Sequence, residues 1–253
     1  MSKQADLSSG RKAPARWPAL VLGAIGLVVL LGLGTWQVQR LQWKEGLIAT
    51  IAERVHLPPL PLAEAEAKFA STGDIDYWPV TVSGEFQHHG ERHFFATHDG
   101  RSGFFVYTPL LLADGRYVFV NRGFVPYEMK DAATRPEGQV TGTVTVNGLA
   151  RNPLAEKPSA LIPDNDTAKN IFYWKDLGAM TATAALPPQA KVLPFFIDAD
   201  KAPNPGGMPI GGVTIIDLPN NHLQYAVTWY GLAAALAGVL GAWLWRSRRD
   251  GQA

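Results

Sequence analysis

The 253-residue sequence contains no cysteine. That excludes a disulfide framework and a thioether lipid anchor, and it removes Cys-x-x-Cys redox chemistry and thiolate metal sites. Methionine is scarce, and Met1, Met129, Met180 and Met208 lie too far apart in sequence to outline a thioether copper site. An excess of either charge is missing as well. With a formal net charge of +1, the chain offers no electrostatic footprint for nucleic acid. No G-x-S-x-G is present, Ser71, Ser83, Ser102 and Ser159 fall in no nucleophile motif, and there is no H-E-x-x-H. A hydrolase anchored at a membrane therefore lacks a recognisable nucleophile and base.

What the chain does have is two long uncharged runs at opposite ends, Trp17 to Val38 and Tyr225 to Trp245. A run of about 20 apolar residues at ~1.5 Å rise spans a hydrocarbon core of ~30 Å. Each run is therefore expected to be a transmembrane helix, with residues 39–224 forming one domain between them. Lys3, Arg11, Lys12 and Arg16 flank the first run, and Arg246, Arg248 and Arg249 flank the second. This places the tails, 1–16 and 246–253, in the cytoplasm and the central domain outside. The first run is longer than a signal-peptide core, no A-x-A site closes it, and it continues into Trp36, Arg40 and Trp43, so an uncleaved anchor is expected. The short stretch ahead of it leaves little room for a mitochondrial presequence, which favours a bacterial inner membrane.

The central domain alternates in the manner of strands. Trp78 to Gln87, Phe104 to Leu112, Tyr117 to Phe124 and Gln139 to Leu149 are rich in β-branched and aromatic residues and bounded by Gly, Asp and Pro. His93 to Thr97 and Val192 to Ile197 read as further strands, and Ala113-Asp114-Gly115-Arg116 as a hairpin turn. Helical pattern is confined to Gln39–Arg54, Leu62–Phe69 and Phe172–Leu177. The predicted fold is membrane α+β, two transmembrane helices flanking a mainly antiparallel sheet or barrel with a few helices.

His222 is the leading functional candidate. It stands at the outer mouth of the second run, and His222, Tyr225 and Trp229 follow a spacing of i, i+3 and i+7 on one helical face. An imidazole on an aromatic face suits a planar iron macrocycle, while the same residues also suit a polar boundary followed by an interfacial aromatic belt. On the first run, Trp36, Arg40 and Trp43 share a face, with Lys44 beside them. Two cations there could pair with the carboxylates of an amphipathic ligand or anchor the helix among headgroups. Both runs carry small residues at close spacing, Gly231 with Ala235 and Ala234 with Gly238 in the second, which would let the two helices approach closely. The cluster His88, His89, His93, His98, Glu85 and Glu91 lacks metal-ligand spacing and reads as a turn with exposed strand edges. Asn121-Arg122-Gly123 reads as a structural strand end, with a partner-facing Arg122 as the alternative.

Five motifs in order resemble the Surfeit locus protein 1 (Shy) family. They are Leu33 to Lys44 (LGTWQVQRLQWK), Gly84 to His88 (GEFQH), Gly103 to Leu110 (GFFVYTPL), Val120 to Pro126 (VNRGFVP) and Asn221 to Ala233 (NHLQYAVTWYGLA). The resemblance covers nearly the whole chain, with one small departure, Phe124 where the family often has Trp. It implies a non-enzymatic assembly factor for haem-copper terminal oxidases, most familiarly cytochrome c oxidase. It further implies that haem a is bound transiently through the histidine that maps onto His222 and passed to oxidase subunit I. Haem a synthase and membrane lipid are the other partners expected. Arg40 and Lys44 are then the expected propionate partners, and Trp36, Tyr225 and Trp229 the apolar walls. The competing expectation is a scaffold that binds subunit I or the synthase through the β domain and carries no haem.

Overall fold

The computed structural model describes residues 17–250, so the tail called for residues 1–16 lies outside them. The chain divides into two compact units, a helical one drawn from the segments up to Ile48 and from Leu218 onward, and a β unit over Ala49–Asp217. The helical unit holds most of α1 (Trp17–Arg54) and all of α4 (His222–Asp250). Both helices are long and apolar enough to cross a membrane, and little of either apolar stretch is buried within the protein. That exposure is what lipid-facing side chains require.

The β unit contains β1 (Leu60–Pro61), α2 (Leu62–Thr72), β2 (Pro79–Phe86), β3 (Arg92–His98), β4 (Arg101–Leu112), β5 (Tyr117–Pro126), β6 (Thr143–Arg151), α3 (Leu177–Thr183) and β7 (Val192–Ala199). The strands follow the order β1-β2-β6-β7-β5-β4-β3, and β2 also pairs with β4. That last pairing closes β2, β6, β7, β5 and β4 into a five-stranded barrel, which leaves edge strands only at the two-residue β1 and at β3. Most pairings are antiparallel; β5–β7 and β1–β2 are parallel. Gly84 makes the closure possible. It pairs with both Val144 and Leu112, and a Cβ there would lie 2.3 Å from the Leu111 carbonyl oxygen.

Alternation fills the barrel. Val80 and Val82, Leu110 and Leu112, Val118 and Val120, Val146 and Ala150, and Phe195 and Ile197 form one buried cluster, and each fully buried side chain of this size contributes roughly 1.5–3 kcal/mol. Ala65 of α2 joins the cluster, with Leu62 and Phe69 packed against it, so α2 covers one end of the barrel. Gly73, at φ 68°, terminates α2 and donates its N–H to the Phe69 carbonyl. Every residue of β5 is buried, because its outward face is covered too: Phe119 packs with Tyr107, Phe172, Met180 and Phe196 beside α3.

The other end of the barrel is polar. Arg122 continues the inward register of Val118 and Val120 and is 2% exposed. Glu91, buried, takes the direct ion pair from Arg135, with Arg122 Nη1 at 3.7 Å, His88 Nδ1 at 3.7 Å and His93 Nε2 at 3.8 Å. Burial alone would raise the Glu91 carboxyl, but His88 and Arg135 outweigh it and hold the group at about 2. Gly123, at φ 124°, lets the segment around Ile210 lie against β5, since a Cβ would meet the Ile210 carbonyl oxygen at 1.9 Å.

Three expectations need correction. Phe172–Leu177 is not helical: Phe172 bridges to Phe94, and the helix starts at Leu177 with Asp176 as its cap, accepting from the Ala179 N–H at 2.9 Å. The fourth strand starts at Thr143 rather than Gln139, because Pro136–Gly138 form a 3-10 turn and Gly142 takes φ 79°. Exposure of the histidine cluster also fails in part. His89 and Glu85 are exposed, but Glu91 and His93 lie inside the polar end of the barrel, where the ion pair to Arg135 makes burial tolerable.

Candidate functional site

The two long helices run antiparallel, and α1 supplies the room. A Cβ on Gly23 would lie 2.7 Å from Leu240, one on Gly26 3.1 Å from Leu236, and one on Gly34 2.8 Å from the Tyr230 ring. Thr35 Oγ1 and the Tyr230 hydroxyl hydrogen-bond at 3.1 Å beside that contact. The sequence reading expected small residues on both spans and named Gly231 with Ala235 and Ala234 with Gly238 on the second. Gly231 and Gly238 instead meet nothing within 4 Å, because α4 turns its larger side chains, together with Ala226 and Ala233, toward the partner helix.

His222 is the first residue of α4, and its N–H donates to Asn220 Oδ1 at 3.3 Å. An Asn side chain accepting from the residue two positions on is a common way to start a helix. The ring turns toward α1, where Nδ1 lies 2.7 Å from Gln37 Oε1. A carboxamide oxygen can only accept, so Nδ1 carries the proton and the Nε2 lone pair stays free. Among the described residues Nε2 has no hydrogen-bond partner. Gln37 itself is 9% exposed.

The other candidates distribute around this pair. Trp229 is half-buried on the same side of α4 as His222, whereas Tyr225 is 54% exposed and turns off the helix contact. On α1, Trp36 and Trp43 are about half exposed, and Arg40 stacks over the Trp43 ring at 4.4 Å. Lys44, half-buried, lies two turns beyond Gln37 on the stripe that carries Gln37. The structure thus joins His222 to Gln37 and Arg40 to Trp43, and leaves Trp36 and Tyr225 on outer flanks. Gln37 is the residue that sequence reasoning missed. The available signal was a lone amide in an apolar run, a group that needs a partner where water is scarce.

The histidines of the β unit form no comparable site. Among the described residues no group of three or more His, Asp or Glu is placed to hold a metal ion. His88 Nε2 bonds the Val140 carbonyl oxygen at 2.7 Å, and His93 Nδ1 lies 3.0 Å from the Asn170 amide nitrogen.

A small closed barrel flanked by two helices long and apolar enough to cross a membrane, with one imidazole hydrogen-bonded across the helix pair, defines the class: a β domain carried between two candidate membrane helices. The chain belongs to the SURF1 family, whose model matches residues 24–234. It is similar to Surfeit locus protein 1 of Rattus norvegicus, 40% identical over 221 residues that cover 81% of this chain and 68% of the relative. The Homo sapiens protein of that name is 38% identical over 225 residues, 82% of this chain and 71% of the relative. A SURF1-like protein of Monosiga brevicollis is 37% identical over 237 residues, 88% and 85%.

Proposed function

We propose that this chain is an assembly factor for a haem-copper terminal oxidase, anchored in a bacterial inner membrane with both termini cytoplasmic, that holds haem a as cargo through His222 and gives it up to oxidase subunit I. The observation that carries this reading is the Gln37–His222 hydrogen bond. It selects the tautomer with a free Nε2 and orients the ring, which is how a metal-ligating imidazole is usually supported. The donor set fits a haem iron, since imidazole is a common axial ligand and a single one leaves the bond labile enough for release. Lys44, on the Gln37 stripe, and Arg40, fixed against Trp43, are the cations for the propionates. Trp229, Tyr225 and Trp36 supply apolar contact. Haem a synthase is the donor partner in this scheme, and membrane lipid surrounds the helices.

The test is the visible spectrum of the full-length protein, purified in mild detergent after co-expression with a haem a synthase, beside His222→Ala. A haem a band lost in the variant at equal folded protein is the expected result. A band of equal strength in both proteins moves the ligand elsewhere. No haem in either, with the synthase active, replaces the carrier by a scaffold that binds subunit I or the synthase.

A further inference from the structure

One stretch of the barrel wall is unpaired. β6 lies between β2 and β7; its pairing with β2 runs from Thr143 to Leu149, whereas its pairing with β7 is confined to Gly148–Arg151. The Asp200 N–H still reaches the Asn147 carbonyl at 2.9 Å, and there the ladder stops. Successive residues of an antiparallel strand turn their N–H and C=O to opposite sides. The Ala150 N–H donates to the Trp78 carbonyl at 2.8 Å, on the β2 side, so Asn147, Thr145 and Thr143 face the other way. Both threonines are exposed, and among the described residues their main-chain groups have no partner.

What lies opposite explains the gap. Ala202, Pro203, Asn204 and Pro205 follow β7, and a segment with two prolines lacks the N–H groups to complete a ladder. Asn204 pins it in place: Nδ2 donates to the Pro209 carbonyl at 2.6 Å, and Oδ1 accepts from Arg122 Nη2 at 3.3 Å. Between this segment and β6 there remains a cavity of about 240 Å³, with Phe86, Val140, Val144 and Ala199 among its apolar walls. Its lining includes the exposed Thr145, Ala202 and Pro203, so it is reached from solvent. Asp200 completes the wall. It is exposed, Oδ1 accepts from the Ala202 N–H at 3.0 Å, and Oδ2 has no partner among the described residues.

We propose that this seam takes an extended segment of another polypeptide, added as a strand along β6. Its main chain pairs with Thr145 and Thr143, one apolar side chain enters the cavity, and a Lys or Arg stands beside Asp200. Strand addition of this kind draws affinity from main-chain bonds and selectivity from the pockets that receive alternate side chains. The free carboxylate oxygen of Asp200 selects a cation and rejects an acidic segment. A segment antiparallel to β6, running as β7 runs, meets Asp200 at its N-terminal end. The edge strands suit this less well. β1 has two residues, one of them Pro61, and β3 is already bridged by Phe172, which donates to the His93 carbonyl and accepts from the Phe95 N–H, both at 2.8 Å. The seam lies wholly in the β unit, so the proposal does not depend on whether His222 carries haem.

Full-length protein in nanodiscs is titrated against the peptide acetyl-Lys-Leu-Thr-Val carrying fluorescein at its C-terminus, with anisotropy as the readout and nanodiscs without protein as the blank. Two control peptides are run beside it, one N-methylated at the lysine main-chain nitrogen and one with Gln for Lys. Saturable binding of the parent, none of the N-methyl form, and an affinity roughly threefold lower for the Gln form are expected, the last being the effect of one exposed ion pair. Asp200→Asn keeps the bond to Ala202 and should weaken the parent by the same factor while leaving the Gln form unchanged. Thr145→Pro deletes a main-chain donor that the folded protein does not use, at the cost of the exposed Ser83–Thr145 side-chain bond, and should abolish binding. Equal binding of the parent and N-methyl peptides, no saturable binding of the parent, or wild-type binding by Thr145→Pro overturns the proposal. So does a wild-type dimer that Thr145→Pro dissociates, which gives the seam to a second copy of the chain. If Thr145→Pro does not fold, the N-methyl comparison and Asp200→Asn decide.

Discussion

The helix pair and the barrel both bury polar side chains, but they answer the cost differently. Between the helices a single amide meets a single imidazole, and one nitrogen of that ring is left over. At the barrel end, Glu91 gathers Arg135, Arg122, His88 and His93 around one carboxylate. The first arrangement is sparse, so each partner sets the chemical state of the other. The second is crowded, so removing one member strands several charges. A sparse pair suits a ligand that must come and go, and a crowded cluster suits a wall that must stay.

The sharpest way to break this contrast is Glu91→Ala. Leaving Arg122 and Arg135 buried without their carboxylate should cost roughly 3–5 kcal/mol in denaturant unfolding of the full-length protein. Wild-type stability would show that the cluster is not one unit. Acid comes next. The folded state holds His93 at about 4 against an ordinary 6.5, so the unfolded chain binds the proton first, and stability present above pH 6.5 falls as pH drops toward 4. Over that window His93 should account for about 3 kcal/mol. Glu91, held at about 2 against 4.5, extends the loss below pH 4.5. His93→Gln should flatten the upper part of a stability-against-pH curve and leave the lower part; an unchanged curve refutes the assignment.

For the sparse pair, Gln37→Leu removes the acceptor and keeps the ligand. Under the haem-carrier proposal, haem a affinity should fall about 10- to 100-fold, the usual cost of losing the group that orients a ligating histidine. A spectrophotometric titration in which Gln37→Leu matches the wild type would show that the ring needs no orienting partner. The smallest effect is expected for Trp43→Ala, which deprives Arg40 of its ring contact. It should change thermal stability by under about 1 kcal/mol, and any large loss would show that this exposed pair supports more than itself.

Much of this was legible in the residues. Alternation located β2, β4, β5 and β7 closely, and Ala113-Asp114-Gly115-Arg116 forms the hairpin turn, with the Leu112 N–H donating to the Arg116 carbonyl. Misreadings arose where one residue type serves two purposes. Asp176 lies within a run that reads as helical, yet it is the cap of the following helix. Small residues were expected on both spans, and those of α1 do receive the partner, but the named α4 glycines meet nothing, because spacing cannot say which helix supplies the bulk. Barrel closure through β2 and β4 depends on contacts between distant segments that local pattern does not carry. His222 stood out by its place at the helix end, whereas Gln37 offered only the signal of a lone amide in an apolar run, and its partner is seen only in the structure.

The glycine recesses of α1 also act as a length standard. Leu240, Leu236 and Tyr230 each have one seat, opposite Gly23, Gly26 and Gly34, and a slip of one helical turn, ~5.4 Å, would bring at least two of these side chains, Tyr230 among them, against positions that bear a side chain. The axial phase of the two helices is thereby keyed, and the 2.7 Å separation of His222 from Gln37 is inherited from contacts made up to five turns away. A substitution at Gly23, far from the imidazole, would shift the alignment of its hydrogen bond to Gln37 without touching it.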